Sequence, residues 1–483
     1  MKKPRRKLQL ASVTMLVACA GCAVDPVTPA EQAATACARY QVTPGNDATA
    51  SFEAAMTAAA ADSNKDLLGP SGAGQVRVYL PAGVYRLRQI HVASNVRFEI
   101  EPGAVIRPVA GLDGPGPSDW GLFELGTLDK PVVNTTFTAG DGCGGPGTPV
   151  FPTRFKPAST DFRGNDPKQT PFGTRGMANA AIPFDDHWPV ATMWTLDLDP
   201  RATGAEWQIT GFYIRNASFV TISRLFTIEN AEQRAGADGG ELDGVTSKTT
   251  AMMIKPPDGA TFHSNVEQLA IARHLLVEWH YNILAPSGQG PNQVRGCIDC
   301  TFRHIFSHGG VALRGESDGI RTTCANNGCD CVGTHGEGLE TYSTVDQLHG
   351  DDIAAAFGNV VMTLTPHCLP NGTASGRNLS GTAMSTLVSI SGGEADASAA
   401  AGYRNVTITS ATGCGTAKAL AEHADPQHNA YQLGPSIDAV HVGPRAPAIT
   451  WTGTFSWPTP PAPGGLPRGD LPQNIAITPR TCP

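Results

Sequence analysis

The feature that most limits what this chain can fold into is a series of short segments alternating apolar and polar residues, each closed by turn residues, with no long amphipathic heptads between them. That pattern excludes a helical bundle. Val76-Arg77-Val78-Tyr79-Leu80 alternates and stops at Pro81-Ala82-Gly83. Asn95-Val96-Arg97-Phe98-Glu99-Ile100-Glu101 alternates again, with Val96, Phe98 and Ile100 on one face, before Pro102-Gly103-Ala104 turns the chain. Further strands are expected at 212–222, 223–228, 269–277, 300–306, 311–315, 360–364, 387–390 and 403–408. Several carry an Asn just before the apolar alternation, as in Arg215-Asn216-Ala217 and Arg404-Asn405-Val406. Short strands at irregular spacing with inserted loops suit a stack of coils better than a sandwich, although periodicity alone does not separate the two. A solenoid also accommodates 483 residues without division into globular domains, because it grows by adding turns. The 54 Gly, 38 Pro and 16% charged residues fit a turn-rich, strand-rich protein.

A helix is expected from Asp47, as N-cap, through Ser51-Phe52-Glu53-Ala54-Ala55-Met56 to about Ala61. It is followed by Val76-Arg77-Val78-Tyr79-Leu80-Pro81-Ala82-Gly83-Val84-Tyr85-Arg86. This helix and the V-x-V-Y-L-P-A-G-V-Y-R run resemble the opening of pectate-lyase-like proteins. There the helix covers the open end of the solenoid and the strand pair begins the first coil. The resemblance implies an all-β chain, a right-handed parallel β-helix with an N-terminal capping helix. On that reading 41–456 form the β-helix domain, 109–205 a long Gly-, Pro- and Asp-rich excursion, and 457–483 a Pro/Gly-rich C-terminal tail.

The N-terminus has the marks of an export signal. Lys2, Lys3, Arg5, Arg6 and Lys7 precede a short apolar stretch from Leu8 to about Ala20, too short to span a bilayer. Leu16-Val17-Ala18-Cys19 resembles the lipobox of bacterial lipoproteins, which implies a signal peptide at 1–18, lipidation at Cys19, and an anchor and linker at 19–40. Cys22 is a second site with a poorer fit. The location expected is the bacterial cell envelope, lipid-anchored at the outer membrane or cell surface, or the secreted state. Removing 1–18 deletes five basic residues and no acidic ones, moving the formal charge from −8 to −13. A chain so acidic is a poor nucleic-acid binder, yet a local basic cleft would still hold an anionic sugar. A monomer is expected. Twelve cysteines in an exported chain point to disulfides. Cys324, Cys329 and Cys331 crowd one loop shortly after Cys297 and Cys300; a stapled loop is the expectation, with zinc binding the alternative.

The chemistry concentrates at Gly309-Gly310-Val311-Ala312-Leu313-Arg314-Gly315-Glu316-Ser317-Asp318. In a strand, Val311 and Leu313 point inward, and Arg314, Glu316 and Asp318 share the outer face. Carboxylates two residues apart lie about 6.6 Å apart along a strand. An inverting glycosidase holds its acid and base roughly 6.5–9.5 Å apart to admit water, and a retaining one about 5–5.5 Å. Arg314 beside them would hold an anionic substrate group or favour one carboxylate's charged form. The plain alternative is a solvated strand face carrying an Arg–Glu pair.

This segment resembles the G-G-V-T-L-R-L-E-T-D stretch of iota-carrageenases, inverting endo-hydrolases of a sulfated galactan built on a β-helix. Other pieces follow in the same order. Gly290-Pro291-Asn292-Gln293-Val294 is similar to G-Y-G-L-V-Q, Val361-Met362-Thr363-Leu364-Thr365-Pro366-His367 followed by Asn371-Gly372 to V-M-L-S-P-H and N-G, Gly415-Thr416-Ala417 to G-T-N-A, and Gly434-Pro435-Ser436-Ile437-Asp438-Ala439-Val440 to G-P-S-I-A-A-V. The resemblance spans roughly 210–445. It implies Glu316 as general acid, Asp318 as general base, Gln293 and His367 as cleft residues that position water or tune Asp318, and Glu394 as a further acidic cleft residue. Substrate binding would fall to Arg314 and Glu394. The chain departs from the pattern at Gly315, where the family has Leu, in the inserted loop Cys324–Cys331, and in lacking the Tyr before the glutamine. No cofactor or catalytic metal is required, and a structural calcium or other ion is compatible. The partner implied is a polysaccharide.

Three other readings stay open. Gly350-Asp351-Asp352 is similar to the G-D-D of polygalacturonases, but the companion pieces are not in order, so a loop with exposed acids is expected there. A calcium-dependent lyase would use Asp351, Asp352 and Arg321. A non-catalytic glycan-binding surface protein would use the same scaffold without chemistry. His335-Gly336-Glu337-Gly338 has no ligand partner at metal-binding spacing and reads as loop.

Overall fold

The structure, a computed structural model, describes residues 40–63, 74–109, 121–140, 192–198, 210–229, 250–255, 271–285, 291–309, 311–316, 324–325, 328–329, 344–356, 360–364, 370–384, 386–390, 402–415, 440–442, 448–456 and 477–478. One helix, Thr49–Ala61, precedes a succession of strands. They form a fourteen-stranded sheet and a nine-stranded sheet, with every pairing in both parallel, and one small antiparallel pair, Cys324–Ala325 with Gly328–Cys329. The chain alternates between the two large sheets as it advances, so each visit adds a strand beside the one a coil earlier. This is a right-handed parallel β-helix, as the sequence predicts.

Alternation explains which residues face inward. In Val76–Leu80 the burial alternates, and Val76, Val78 and Leu80 fill the core between the sheets. Coil by coil the inward positions stack in register: Val78 on Phe98, Phe98 on Phe137, Phe137 on Ile222, then Val277, Phe302, Gly350 and Gly376. Gly350 is therefore a core position in the strand Val345–Ala356, and the expected loop at Gly350-Asp351-Asp352 is corrected. A Cβ at Gly350 would stand 3.1 Å from Leu313 Cδ2, and one at Gly376 would stand 3.0 Å from Met362 Sδ.

The long strands are bent, and the bends repeat. Phe219, His274, Asp299 and Gln347 have positive φ at one level of successive coils; Arg224, Trp279, His304, Asp352, Asn378 and Ser410 do so five residues later. These left-handed corners fold the large sheet round the core. The sequence-based break between Ile222 and Ser223 thus falls in mid-arm, and the corners lie at Phe219 and Arg224. Three strands, Gly121–Leu125, Val132–Ala139 and Trp194–Asp197, fall within the expected excursion 109–205 and pair as coil strands.

The helix packs Phe52, Ala55, Met56 and Ala59 against the first coils. Its start lies one residue beyond the expected one: Ala48 is the N-cap, and Asp47 accepts from the Thr49 amide at 3.2 Å and its hydroxyl at 2.6 Å. Cys297 and Cys300 form a disulfide within one strand. No helix among the described residues is long and apolar enough to cross a membrane.

Candidate active site

The nine-stranded sheet carries a row of residues, one per coil, lying between its core-facing positions. In order of pairing they are His91, Glu124, Tyr213, Met253, Gln293, Arg314, Thr363 and Ser389. Their neighbours Phe212, Ile214, Met252, Ile254, Val294 and Leu313 belong to the core, so the row faces outward. A second outward row begins two residues later. Arg215, Lys255, Arg295 and Glu316 each donate their backbone N–H to the preceding coil, to Leu125, Ile214, Ile254 and Val294 respectively. They are therefore successive rungs, about 4.8 Å apart.

Gln293, Arg314 and Glu316, three of the residues expected to act, meet where these rows adjoin. Glu316 lies just past the end of Val311–Gly315 and is fully buried. Its Oε2 is 2.5 Å from Arg314 Nη2, and its Oε1 is 2.7 Å from Arg295 Nε. Both arginines keep a little solvent contact, 11% of the Arg314 side chain and 28% of Arg295. The alternative of a solvated strand face does not hold at Glu316, which is an enclosed carboxylate between two guanidinium groups. Gln293 is fully buried as well. Its amide nitrogen reaches Thr250 Oγ1 at 3.5 Å, and among the described residues nothing donates to its Oε1.

A polar network inside the core fixes this strand. Asn292 Nδ2 donates to the carbonyl of Ala312 at 3.0 Å, so its Oδ1 is free to accept from His280 Nδ1 at 3.1 Å. His280 Nε2 is then the acceptor for the Thr227 hydroxyl at 2.9 Å. Burial pushes the imidazole down to about 4, against the opposing effect of its hydrogen bond to Asn292 Oδ1, so it is neutral at physiological pH. Nearby, burial raises Glu229 to about 8 despite a 2.6 Å hydrogen bond from the Ala251 amide. That bond anchors the start of Thr250–Ile254, whose Thr250 meets Gln293.

Toward the helix-capped end the outer face continues as a charged and aromatic cluster. His91 Nδ1 is 2.8 Å from Glu124 Oε2, Arg215 Nη1 is 3.4 Å from Glu124 Oε1, and the Arg215 guanidinium lies 4.2 Å over the Tyr213 ring. Sequence reasoning missed Arg215, Lys255 and Arg295. A signal was present: Ile214-Arg215, Ile254-Lys255 and Val294-Arg295 recur at forty-residue steps, each basic residue following a core aliphatic.

Asp318, His367, Glu394, Arg321, Cys19 and Cys22 lie outside the described residues, as do Cys331 and His335. Asp351 and Asp352 lie on the other sheet. Asp351 pairs with Arg377, which with its hydrogen bonds holds the carboxyl below its usual range, and Asp352 is 2.8 Å from His304 Nδ1. Among the described residues no group of three or more His, Cys, Asp or Glu is placed to hold a metal ion.

Neither a protein-family profile nor a curated protein sequence matches the chain. Solved structures do. A 1,3-alpha-1,4-beta-D-galactose-4-sulfate-3,6-anhydro-D-galactose-2-sulfate 4 galactohydrolase is similar at TM-score 0.51 and 15% identity, over 78% of this chain and 70% of that one. An iota-carrageenase complexed to iota-carrageenan fragments is similar at TM-score 0.45 and 16% identity, over 71% of this chain; the chain spans about half, 52%, of its length. The A-module of a mannuronan C-5 epimerase from Azotobacter vinelandii is similar at TM-score 0.35 and 10% identity, over 91% of this chain and 95% of that one. What the chain shares with the galactohydrolase is the fold, the parallel β-helix.

Proposed function

We propose that this chain is an extracytoplasmic glycoside hydrolase that cuts an anionic polysaccharide with inversion, using Glu316 as general acid and Asp318 as general base. The observation that carries the reading is the convergence of Gln293, Arg314 and Glu316 on one outward face, beside the basic rungs Arg215, Lys255 and Arg295. A row of cations on successive rungs along the solenoid suits a negatively charged chain. The buried Gln293 Oε1 has no donor among the described residues. In this reading Arg314 would bind an anionic group, with His367 and Glu394 in the supporting roles that the sequence resemblance implies. The solved structures of similar fold include enzymes named for a sulfated galactan, which supports the choice of substrate class. Lipidation at Cys19 would keep the enzyme at the cell surface; a diacyl or triacyl cysteine at the mature N-terminus, seen by mass spectrometry, is the expected result.

A second reading, a glycan-binding surface protein, draws support from the fact that both Glu316 oxygens are already ion-paired. The lyase reading gains nothing from Asp351, ion-paired to Arg377, or from Asp352, in contact with His304, both on the other sheet.

The test is a panel of purified polysaccharides, read for new reducing ends and for ultraviolet absorbance together. A hydrolase gives reducing ends without absorbance, a lyase gives both, and a binder gives neither. Once a substrate is found, Glu316→Gln should lose ~10²–10⁴-fold in rate, the usual contribution of a positioned acid. The variant also leaves two guanidinium groups facing an amide. Its stability should fall by less than the ~3–5 kcal/mol of a fully buried pair, because Arg295 and Arg314 retain solvent contact. Activity must therefore be normalised to folded protein. Near-parental activity would return Glu316 to a structural role.

A further inference from the structure

Glu316 is held in the form opposite to the one its proposed task requires. A general acid must carry a proton, yet two guanidinium groups stand 2.5 and 2.7 Å from its two oxygens, the Arg295 contact being an ion pair without hydrogen-bond alignment. Such contacts favour the carboxylate. Two arginines converging from adjacent coils are also the standard means of binding an oxyanion in two-pronged fashion. We propose that Arg295 and Arg314 form an oxyanion site occupied at rest by the Glu316 carboxylate, and that an anionic group of the substrate displaces that carboxylate and thereby loads it with a proton.

The exchange conserves charge simply. The incoming oxyanion accepts hydrogen bonds from both guanidinium groups. Glu316, enclosed and now without counter-charge, takes one proton from solvent and becomes the neutral carboxyl that later protonates the leaving oxygen. Arg295 is the point of entry, since it is the more exposed of the pair. The groups facing Glu316 are consistent with uptake there. Arg314 comes from its own strand, Val311–Gly315, and Arg295 from the coil before. Lys255 stands one rung beyond Arg295. Gln293 is in register with Arg314 and does not titrate. Tyr403, from the strand Gly402–Gly415, has its phenol pushed well up by burial and by the Glu316 charge, so it stays neutral. Arg295 is accordingly a positioning and specificity residue: a neutral polysaccharide would bind without arming the acid.

The inference rests on the proposed function for the identity of the anion, but its test does not need turnover. Inorganic sulfate is titrated into the full chain by calorimetry at pH 6, in two buffers of different ionisation enthalpy, with sodium chloride at equal ionic strength as control. Sulfate binding by the parent should take up close to one proton. Glu316→Gln should bind sulfate ~10-fold or more tightly, because an amide competes poorly for guanidinium groups, and should take up none. Arg295→Gln should weaken sulfate ~10–100-fold, the range of a hydrogen bond to a charged group. Arg295→Lys, which keeps the charge, should fall between. Sulfate binding by the parent without proton uptake would overturn the proposal, and so would sulfate affinity unaltered in Glu316→Gln, or no sulfate binding by either protein. Proton-linked sulfate binding with no cleavage of any polysaccharide would leave the oxyanion site standing and remove the enzymatic reading. Cleavage without such linkage would do the reverse.

Discussion

Gly315 stands where the family that this strand resembles has Leu, and the packing shows why Leu is not tolerated. A Cβ there would stand 2.7 Å from Leu348 Cδ2, 2.7 Å from Tyr403 Oη and 3.0 Å from Leu364 Cδ2. Those three side chains already fill the space a leucine would need, so the glycine is required for room rather than for an unusual backbone angle. Gly315→Leu should therefore destabilise by at least the ~1–3 kcal/mol typical of overpacking, seen as a lower denaturant midpoint. Gly315→Ala in a Tyr403→Phe background should recover part of the loss suffered by Gly315→Ala alone, because the hydroxyl nearest the new methyl is gone. Additive losses in that double variant would show that Tyr403 is not what excludes the side chain. Because Glu316 follows directly, any backbone shift at this position also moves the carboxylate relative to Arg295 and Arg314.

The strands that carry the site are tied together by buried polar groups whose titration gives the fold a pH signature. Burial raises Glu229 to about 8 from its ordinary 4.5, so the native state holds a proton that the unfolded chain releases. Its contribution is present below about 4.5 and is lost as pH rises toward 8. His280 is lowered to about 4 from 6.5, so its contribution is present above 6.5 and is lost as pH falls toward 4. Glu229→Gln should accordingly gain stability relative to the parent between pH 5 and pH 8, measured by chemical denaturation at both; a constant difference would mean that Glu229 does not titrate in that window. Neither residue was legible in the sequence as a core group, since Glu229 follows a strand and His280 sits within one without any pattern to set it apart. Strand positions were legible, because alternation shows locally: Val311–Gly315 and Val360–Leu364 coincide with their expected bounds. The corners were not. Phe219, Arg224 and Trp279 are bulky residues in left-handed backbone, which local preference disfavours, and contacts between coils offset the cost. Phe219 stacks on His274 at 4.6 Å and Trp279 on His304 at 4.0 Å. Of the site itself, Gln293, Arg314 and Glu316 could be read from a motif, whereas the pairing of Glu316 with Arg295 depends on register between coils.

At the scale of the molecule, a solenoid is held by contacts between neighbouring coils, so its ends govern how it fails. Here the helix Thr49–Ala61 is joined to the coils by aromatic stacking along the core. Phe52 lies 5.1 Å from Phe98 and 5.7 Å from Phe123, Phe98 lies 4.5 Å from Phe137, and Phe137 meets Phe212 edge-on at 5.0 Å. Phe52 is the one member of that column contributed by the helix, and it is fully buried. Phe52→Ala should cost ~3–5 kcal/mol at the cap, the range for emptying a buried aromatic site. Because each coil contacts only its neighbours, that loss should stay local. Amide exchange should accelerate in 49–61 and in the first strands, while the coils carrying Gln293 and Glu316, several rungs away, keep their protection. An undocked helix would also uncover the outer edge of Val76–Leu80, which is paired on one side to Val96–Ile100 and bridged near its end by Gln41. Exposed parallel edges template association between chains, so light scattering should report oligomers of Phe52→Ala at concentrations where the parent gives none. Uniform acceleration of exchange through every coil would instead mean that the β-helix opens as one cooperative unit, with the cap stabilising the distant site as strongly as it stabilises its own end.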